Sequence, residues 1–247
     1  MSLMGEEIET TTEDVRNFIE EIKCPERFLE YCKKFHEKER REVGYLASMK
    51  MLGDGGNENH VLIASTLLII TWNAARFIRL KKEIKERLGD EIAGAYKEIK
   101  DELGKLKIET LEKLDLEENS KREIIKHIFS KFSEKKSIGA TGASKILHLL
   151  NPHLFMMWDD KIRKAYHKLH SKEQRHKEGS PECYIEFLRD SQKIIKSLLE
   201  KKSKDELREI HRKWVEESYG KEFAIEETLL KMLDECNYVK FTLKSQP

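Results

Sequence analysis

Apolar residues recur at the spacing of an α-helix along most of this chain, and few residues interrupt the pattern. The segment 121–134 shows it most clearly, because its isoleucines and phenylalanines repeat about every 3.6 residues. Only 12 glycines and 4 prolines punctuate 247 residues, whereas β-sandwiches and barrels need frequent turn signals. The pattern therefore predicts an all-α fold of about ten helices.

The same periodicity predicts where the helices lie. Two short amphipathic helices are expected within residues 11–50, and a glycine-rich loop at 52–59 leads into an Asn-capped helix. The remaining expectations, in chain order, are an apolar helix at 60–82, a weakly amphipathic charged stretch at 84–118, helices at 121–134, 142–150, 160–169, 182–201, 204–217 and 222–235, and a short extended tail at 238–241.

The stretch from Val61 to Ala75 carries no charged side chain. A bilayer span takes about 20 apolar residues, so this stretch is too short, and polar residues such as Ser65 and Asn73 interrupt it. We therefore predict a central buried helix and no membrane contact.

The four cysteines, Cys24, Cys32, Cys183 and Cys236, match neither a zinc pair nor a four-cysteine iron–sulfur spacing. They predict reduced thiols in a cytoplasmic protein without a metal or other cofactor. His167 and His170 are spaced i,i+3, which is compatible with metal ligation, but the pattern favours a solvated basic helix face.

Charge is concentrated in one part of the chain. The net charge is +1, yet residues 121–177 hold 14 Lys and Arg against 5 Asp and Glu, together with six of the nine histidines. Such a window is typical of a surface that binds the phosphate backbone of nucleic acid. The alternative is an ordinary solvated, lysine-rich helical surface.

A glycine turn at residues 136–142 joins two of the predicted helices and resembles a helix-hairpin-helix element. Backbone N–H groups of such a turn, next to a helix N-terminus, can bind a DNA phosphate without reading sequence. The candidate DNA contacts are Lys136, Ser137, Ile138, Gly139, Thr141, Gly142 and Lys145.

The residues that follow strengthen this interpretation. The runs Gly142-Ala143-Ser144-Lys145-Ile146-Leu147, Leu154-Phe155-Met156-Met157-Trp158-Asp159 and Ile162-Arg163-Lys164 resemble the signature of the helix-hairpin-helix DNA glycosylase superfamily. In this register Asp159 takes the catalytic aspartate position and Gly139 the last hairpin glycine. The similarity covers about 30 residues closely and residues 60–165 loosely. It departs from the family at Ser137, at Met156 and in lacking the cluster cysteines of some branches.

The resemblance implies a DNA-repair hydrolase that flips a base out of duplex DNA, with Asp159 stabilising the sugar cation or activating water. Asp160 is a rival for this role, and Asp159 could instead only cap the next helix. Thr141 stands where lyase-type members carry a catalytic lysine, so a Schiff-base step from that position is excluded. The resemblance therefore implies monofunctional base removal.

Trp72 and Asn73 lie on the apolar helix whose counterpart in such enzymes borders the base pocket. An aromatic ring there could stack on a flipped base, whereas the alternative is an ordinary core tryptophan.

Together these features predict a two-lobed, DNA-glycosylase-like all-α protein that binds double-stranded DNA. The central bundle would span 60–157 with the hairpin at 122–150, and residues 1–59 and 158–247 would form the second lobe. Two alternatives stay open, a non-enzymatic helix-hairpin-helix module and a helical protein-interaction domain. The lesion and the oligomeric state stay undetermined.

Overall fold

The computed structural model describes residues 10–53, 57–170, 176–221 and 227–243. Within these ranges the chain is helical and has no strand, which confirms the all-α prediction. The helices are α1 Thr12–Ile22, α2 Pro25–Lys38, α3 Glu42–Leu52, α4 Glu58–Trp72, α5 Ala74–Arg79, α6 Lys82–Lys85, α7 Leu88–Lys105, α8 Asn119–Ser133, α9 Gly139–Leu150, α10 Asp160–His170, α11 Pro181–Leu199, α12 Lys204–Tyr219 and α13 Leu229–Asn237, and a terminal π-helix spans Tyr238–Thr242.

Polar side chains fix the starts of several helices. Thr11 and Ser203 each form a capping box, in which the side chain accepts from the third residue of the helix and that residue's carboxylate accepts in return. Asn57 caps α4 as the sequence predicts, because its side chain accepts from the His60 N–H group at 3.1 Å. Ser180 caps α11, and Pro181 occupies its first turn.

One hydrophobic cluster runs through the described residues. Around Trp158 it is built from aromatic rings of three elements, with Phe129 stacked on Tyr184 at 4.4 Å and Phe187 against the indole at 5.4 Å. The helix pairs α8–α9 and α8–α11 pack here, and α2 packs on α12 and α13. Helices from the two ends of the chain are therefore neighbours, and the division into lobes at 60–157 stays a prediction.

The apolar helix differs from its prediction in two ways. It ends at Trp72, because Asn73 leaves the helical region with φ −120° and ψ 24°, and the short helix α5 continues in a new direction. It is also not fully buried, since Ile63 and Ile70 are about half exposed. A continuous buried helix over 60–82 is therefore wrong.

The chain after α13 also differs from its prediction. Residues 238–241 are not extended but belong to the π-helix, which continues α13 and buries Tyr238, Val239 and Phe241. Tyr238, Val239 and Phe241 belong to the hydrophobic core, and the predicted extended tail is therefore wrong. Of the helix predicted at 222–235, residues 222–226 lie outside the described ranges.

All four cysteines are free thiols. Across the described ranges, every helix falls short of the length and apolarity that are needed to cross a bilayer.

Candidate functional site

A cleft of about 810 Å³ opens where the C-terminal ends of α4 and α8 meet the N-terminal parts of α9 and α10. Its walls also include Arg76 of α5, the loop before α11, and residues of α13 and the π-helix. Of the residues singled out from the sequence, the cleft brings together Trp72, Asn73, Thr141, Lys145, Asp159 and Asp160. We call it the Asp159 cleft.

Asp159 is held by three donors. Its Oδ1 accepts from the N–H groups of Lys161 at 2.8 Å and Ile162 at 2.9 Å, which is the geometry of an N-cap for α10. Its Oδ2 accepts from the hydroxyl of Thr242 in the π-helix. The carboxylate is therefore a helix cap and a wall of the cleft at once.

Asp160 has a different environment. It is exposed and pairs with Arg163 and, at 2.6 Å, with Lys164. Partial burial on its own would raise the pKa of the Asp160 carboxyl, but the bonds to these two cations outweigh it and lower the pKa. Asp160 is therefore a surface ion-pair partner, already engaged by its own helix.

Arg163 connects several parts of the cleft. Its Nε donates to Glu178 at 3.0 Å, one terminal nitrogen donates to the Thr141 hydroxyl at 3.0 Å, and the other pairs with Asp160. Thr141, the position that the glycosylase resemblance assigns to the lysine of lyase-type members, thus accepts a hydrogen bond from Arg163.

Lys145 lies at the floor of the cleft and is only 4% exposed. Its ammonium group donates to the carbonyl of Trp72 at 2.6 Å and lies 5.5 Å from the centre of that indole ring. Burial lowers the pKa of Lys145 to about 8, although attraction to Asp159 and Asp234 opposes the change.

Trp72 and Asn73 form the wall on the α4 side. The Trp72 indole N–H donates to the carbonyl of Arg41 at 2.9 Å, and its ring stacks on Phe35 at 6.1 Å, so only 8% of the residue is exposed. The Asn73 Nδ2 group is buried and has no hydrogen-bond partner among the described residues. It is therefore a hydrogen-bond donor in the cleft wall without an acceptor among the described residues.

Side chains of α5 and α7 hold the hairpin turn in place through hydrogen bonds. The Ser137 N–H and hydroxyl groups donate to Glu91 at 3.1 and 2.5 Å, and Arg76 donates to the carbonyls of Ser137 and Lys136 at 2.8 and 2.7 Å. The N–H groups of Ile138 and Gly139 both donate to the Lys135 carbonyl. The phosphate contact predicted for this turn stays a prediction, and the first turn of α9 would have to supply its amides.

Gly139 is required at the turn for two reasons. Its φ of +66° lies in the left-handed region, and a Cβ there would come within 2.8 Å of the Arg76 guanidinium. Ile138 and Gly142 are buried, and Gly142 lets α9 approach Ile69 of α4 closely.

Part of the lysine-rich window is engaged in ion pairs. Lys121 pairs with Glu109, Lys126 with Glu123 and Glu182, and Lys131 with Glu98. Seven basic and five acidic side chains line the cleft itself, so a modest positive excess remains where a phosphate would approach. Lys172 and Arg175 of the window lie outside the described residues.

Several cleft residues were not singled out from the sequence. Arg76 follows the apolar helix as a basic side chain in an otherwise ordinary segment, so local sequence carried only a weak signal. Asp234 and Thr242 come from the far end of the chain, 75 and more residues after Asp159. Burial raises the pKa of Asp234 to about 7, with Lys231 and Lys145 opposing.

Comparison with known proteins gives no match for this chain among protein families, curated proteins or solved structures.

Proposed function

We propose that this chain binds double-stranded DNA and hydrolyses an N-glycosidic bond in the Asp159 cleft. One observation carries the proposal: residues chosen from separate sequence segments for a sugar-stabilising acid and a base pocket line a single cleft. The volume of about 810 Å³ lies in the range of roughly 300–1,000 Å³ that small-ligand sites occupy, and a flipped nucleotide is a ligand of this size.

Asp159 supplies the chemistry in this proposal. Breaking an N-glycosidic bond builds positive charge on the sugar, and a preorganised carboxylate stabilises that charge without reorganising during the reaction. The N–H groups of Lys161 and Ile162 and the Thr242 hydroxyl provide the preorganisation. The same carboxylate can also orient the attacking water.

The opposite wall binds the base. The unpartnered Nδ2 donor of Asn73 suits an acceptor on a base edge, and buried donors without partners mark places where a ligand is expected to complete the bonding. Trp72 is too enclosed for full stacking, so we assign it to the floor beneath the base. With Thr141 held by Arg163, the proposed reaction is simple hydrolysis.

The test is a base-release screen with a matched pair of variants. Wild type, Asp159→Asn and Asp160→Asn are incubated with duplexes that carry oxidised, alkylated, deaminated or mismatched bases, and alkali then reveals abasic sites. We expect Asp159→Asn to reduce base release at least about 100-fold, because it removes the charge that faces the sugar. Asp160→Asn should retain activity near wild type, because Asp160 pairs with its own helix.

The Asn substitution also separates catalysis from capping. Asparagine caps helices about as well as aspartate, so the melting temperature of Asp159→Asn should stay close to that of wild type. If no duplex releases a base while salt-sensitive duplex binding persists, the chain is a DNA-binding module without this chemistry. If duplex binding is absent as well, the protein-interaction alternative replaces the proposal.

A further inference from the structure

A second group of ionisable side chains lies in the core, beside the residues that line the Asp159 cleft. His36 of α2, His211 of α12 and Glu235 of α13 meet there, and each is at most 3% exposed. The His36 and His211 Nε2 atoms are 3.0 Å apart, and Glu235 Oε2 lies 2.8 Å from His211 Nε2 and 3.4 Å from His36 Nε2. Three potential metal-ligand atoms therefore form a compact triangle.

The size of this triangle fits a tetrahedral metal ion. Zinc–nitrogen and zinc–oxygen bonds of about 2.0–2.1 Å place neighbouring ligand atoms about 3.3 Å apart in a tetrahedron. The three distances, 2.8, 3.0 and 3.4 Å, lie within about 0.5 Å of that value, so small side-chain rotations would complete the geometry. The Nε2 atoms of both histidines face each other and the same Glu235 oxygen. A single cation between the three atoms could therefore bind all of them.

Cys32 provides a fourth donor. It lies one helical turn before His36 on α2, and its Sγ is within 4.8 Å of ligand atoms of both His211 and Glu235. Its thiol is buried and lies 3.4 Å from the Met232 carbonyl oxygen and 3.7 Å from the Cys236 sulfur, and it would exchange these contacts for the metal. Two imidazoles, a carboxylate and a thiolate form a donor set that zinc accepts.

The surrounding charges also call for a cation. Carboxylate oxygens of Glu42, Glu227 and Glu235 lie within 4.8 Å of one another and are all buried. The ammonium of Lys231 lies 2.9 Å from Glu42 and 2.7 Å from Glu235. With neutral histidines and a Cys32 thiolate, four negative groups face the one ammonium of Lys231, and a divalent ion would offset two of the three excess negative charges.

Unpartnered atoms in the group support the same conclusion. Both oxygens of Glu227 lack a hydrogen bond among the described residues, as does Glu42 Oε2, while Glu42 Oε1 approaches Lys231 outside hydrogen-bonding geometry. Glu227 Oε2 nevertheless lies 3.4 Å from His211 Nδ1. If Nε2 of His211 binds a metal, Nδ1–H faces this carboxylate, which is the usual support of a metal-bound histidine.

We propose that His36 Nε2, His211 Nε2, Glu235 Oε2 and Cys32 Sγ bind one Zn²⁺ ion that joins α2, α12 and α13. Four protein ligands leave no open position, so the site is structural rather than catalytic. Because the ligands are buried, the ion is taken up as the chain folds, and it ties the N-terminal helices to the C-terminal ones.

The first test uses the whole chain. The protein is unfolded with denaturant and a chelator, refolded with or without zinc sulfate, and analysed for metal after desalting. We expect about one zinc per wild-type chain and a higher melting temperature with zinc than without it. His36→Gln and His211→Gln should retain less than about a tenth of the zinc, because each loses a ligand. His170→Gln is the matched control, since that histidine pairs with Asp190 elsewhere.

Cobalt tests the ligands without relying on the stability of a variant. Wild type refolded with Co²⁺ should show the intense visible absorption of a tetrahedral site and a near-ultraviolet thiolate-to-cobalt band. Cys32→Ser should lose the thiolate band, whereas Cys183→Ser should keep it. A folded wild type that binds neither metal overturns the proposal, and so does an equal loss of zinc in His170→Gln. A cobalt spectrum without the thiolate band overturns the assignment of Cys32.

Discussion

His148 of α9 is a fully buried imidazole with a partner on each nitrogen. Its Nδ1 lies 2.7 Å from the Phe155 carbonyl, and its Nε2 lies 3.1 Å from the Tyr45 hydroxyl. The neutral ring with the proton on Nδ1 satisfies both, because Nδ1–H donates to the carbonyl and Nε2 accepts from the hydroxyl. Burial lowers the pKa of His148 to about 3, although the bond to the carbonyl opposes this.

This histidine should make stability depend on pH. An unfolded histidine has a pKa near 6.5. Between about pH 6.5 and pH 3, His148 is therefore protonated in the unfolded chain and neutral in the folded chain. His148 therefore contributes its full share to the free energy of unfolding above pH 6.5. This share falls by about 1.4 kcal/mol for each pH unit as the pH decreases through this window. Urea unfolding at pH 7, 5.5 and 4 measures it.

The variant His148→Asn isolates the effect, since an amide can still donate to the Phe155 carbonyl but does not ionise. It should be less stable than wild type at pH 7, with a shallower loss of unfolding free energy on acidification. The exposed His176, changed to Asn, serves as the control and should follow the wild-type slope. If the free energy of unfolding falls equally steeply with pH in wild type and in His148→Asn, this imidazole does not cause the loss of stability in acid.

At the residue scale, the sequence identified cleft residues from two segments, one around the hairpin and one at Trp72 and Asn73, which the family resemblance had placed beside the base pocket. The predicted aspartate position, Asp159, lies in the cleft together with Thr141 and Lys145 of the preceding helix. It could not identify Asp234 or Thr242, because their approach depends on how the C-terminal helices pack. Nor could it pair His36 with His211, which are 175 residues apart and carry no local pattern.

Among the elements, α3 and α4 pack closely at one glycine. A Cβ on Gly44 would lie 2.6 Å from the Thr71 hydroxyl oxygen and 2.8 Å from Thr71 Cβ. Thr71 is β-branched and its hydroxyl donates to the Leu67 carbonyl, so its side chain has little freedom to move aside. The close approach of α3 and α4 therefore requires a residue without a side chain at position 44.

Alanine substitutions test this crossing. Gly44→Ala should lower the free energy of unfolding by about 1–3 kcal/mol, because overpacking outweighs the gain in helix propensity. Gly94→Ala in α7 is the matched control, since a Cβ there meets nothing within 4 Å, and it should raise stability by up to about 1 kcal/mol. Both values come from urea unfolding. If Gly44→Ala were more stable than wild type, α3 and α4 would be able to accommodate the added methyl group without loss of packing energy.

Element boundaries were predictable where periodicity and caps agree. The helix expected at 121–134 is α8, Asn119–Ser133, because its buried isoleucines and phenylalanines repeat regularly. The end of α4 was hidden, since apolar residues continue beyond Trp72 and only the backbone of Asn73 breaks the helix. The π-helix was hidden too, because local sequence does not distinguish a widened helical turn from other short apolar segments.

At the scale of the molecule, the two ends of the chain are interleaved. Helix α1 packs on α10, and α2 packs on α12, α13 and the π-helix. Helices α3 and α11 in turn contact α4 and α8 of the predicted central bundle. A continuous core thus crosses the predicted boundary at residues 60 and 157, and nothing in local sequence could reveal how strongly the two parts are coupled.

Such a core should unfold as one cooperative unit. Hydrogen exchange measured by mass spectrometry at increasing urea reports the opening free energy of each segment. Peptides from α8 and α9 and peptides from α2, α12 and α13 should converge on the same free energy and the same urea dependence, because no group of these helices can leave without exposing the shared core. The end of α1 and the exposed parts of α5 should open earlier, which provides an internal reference for local fraying. If the α2, α12 and α13 peptides instead open together at clearly lower free energy, the chain consists of two separable lobes, and the cleft at Asp159 would lie on a hinge between them.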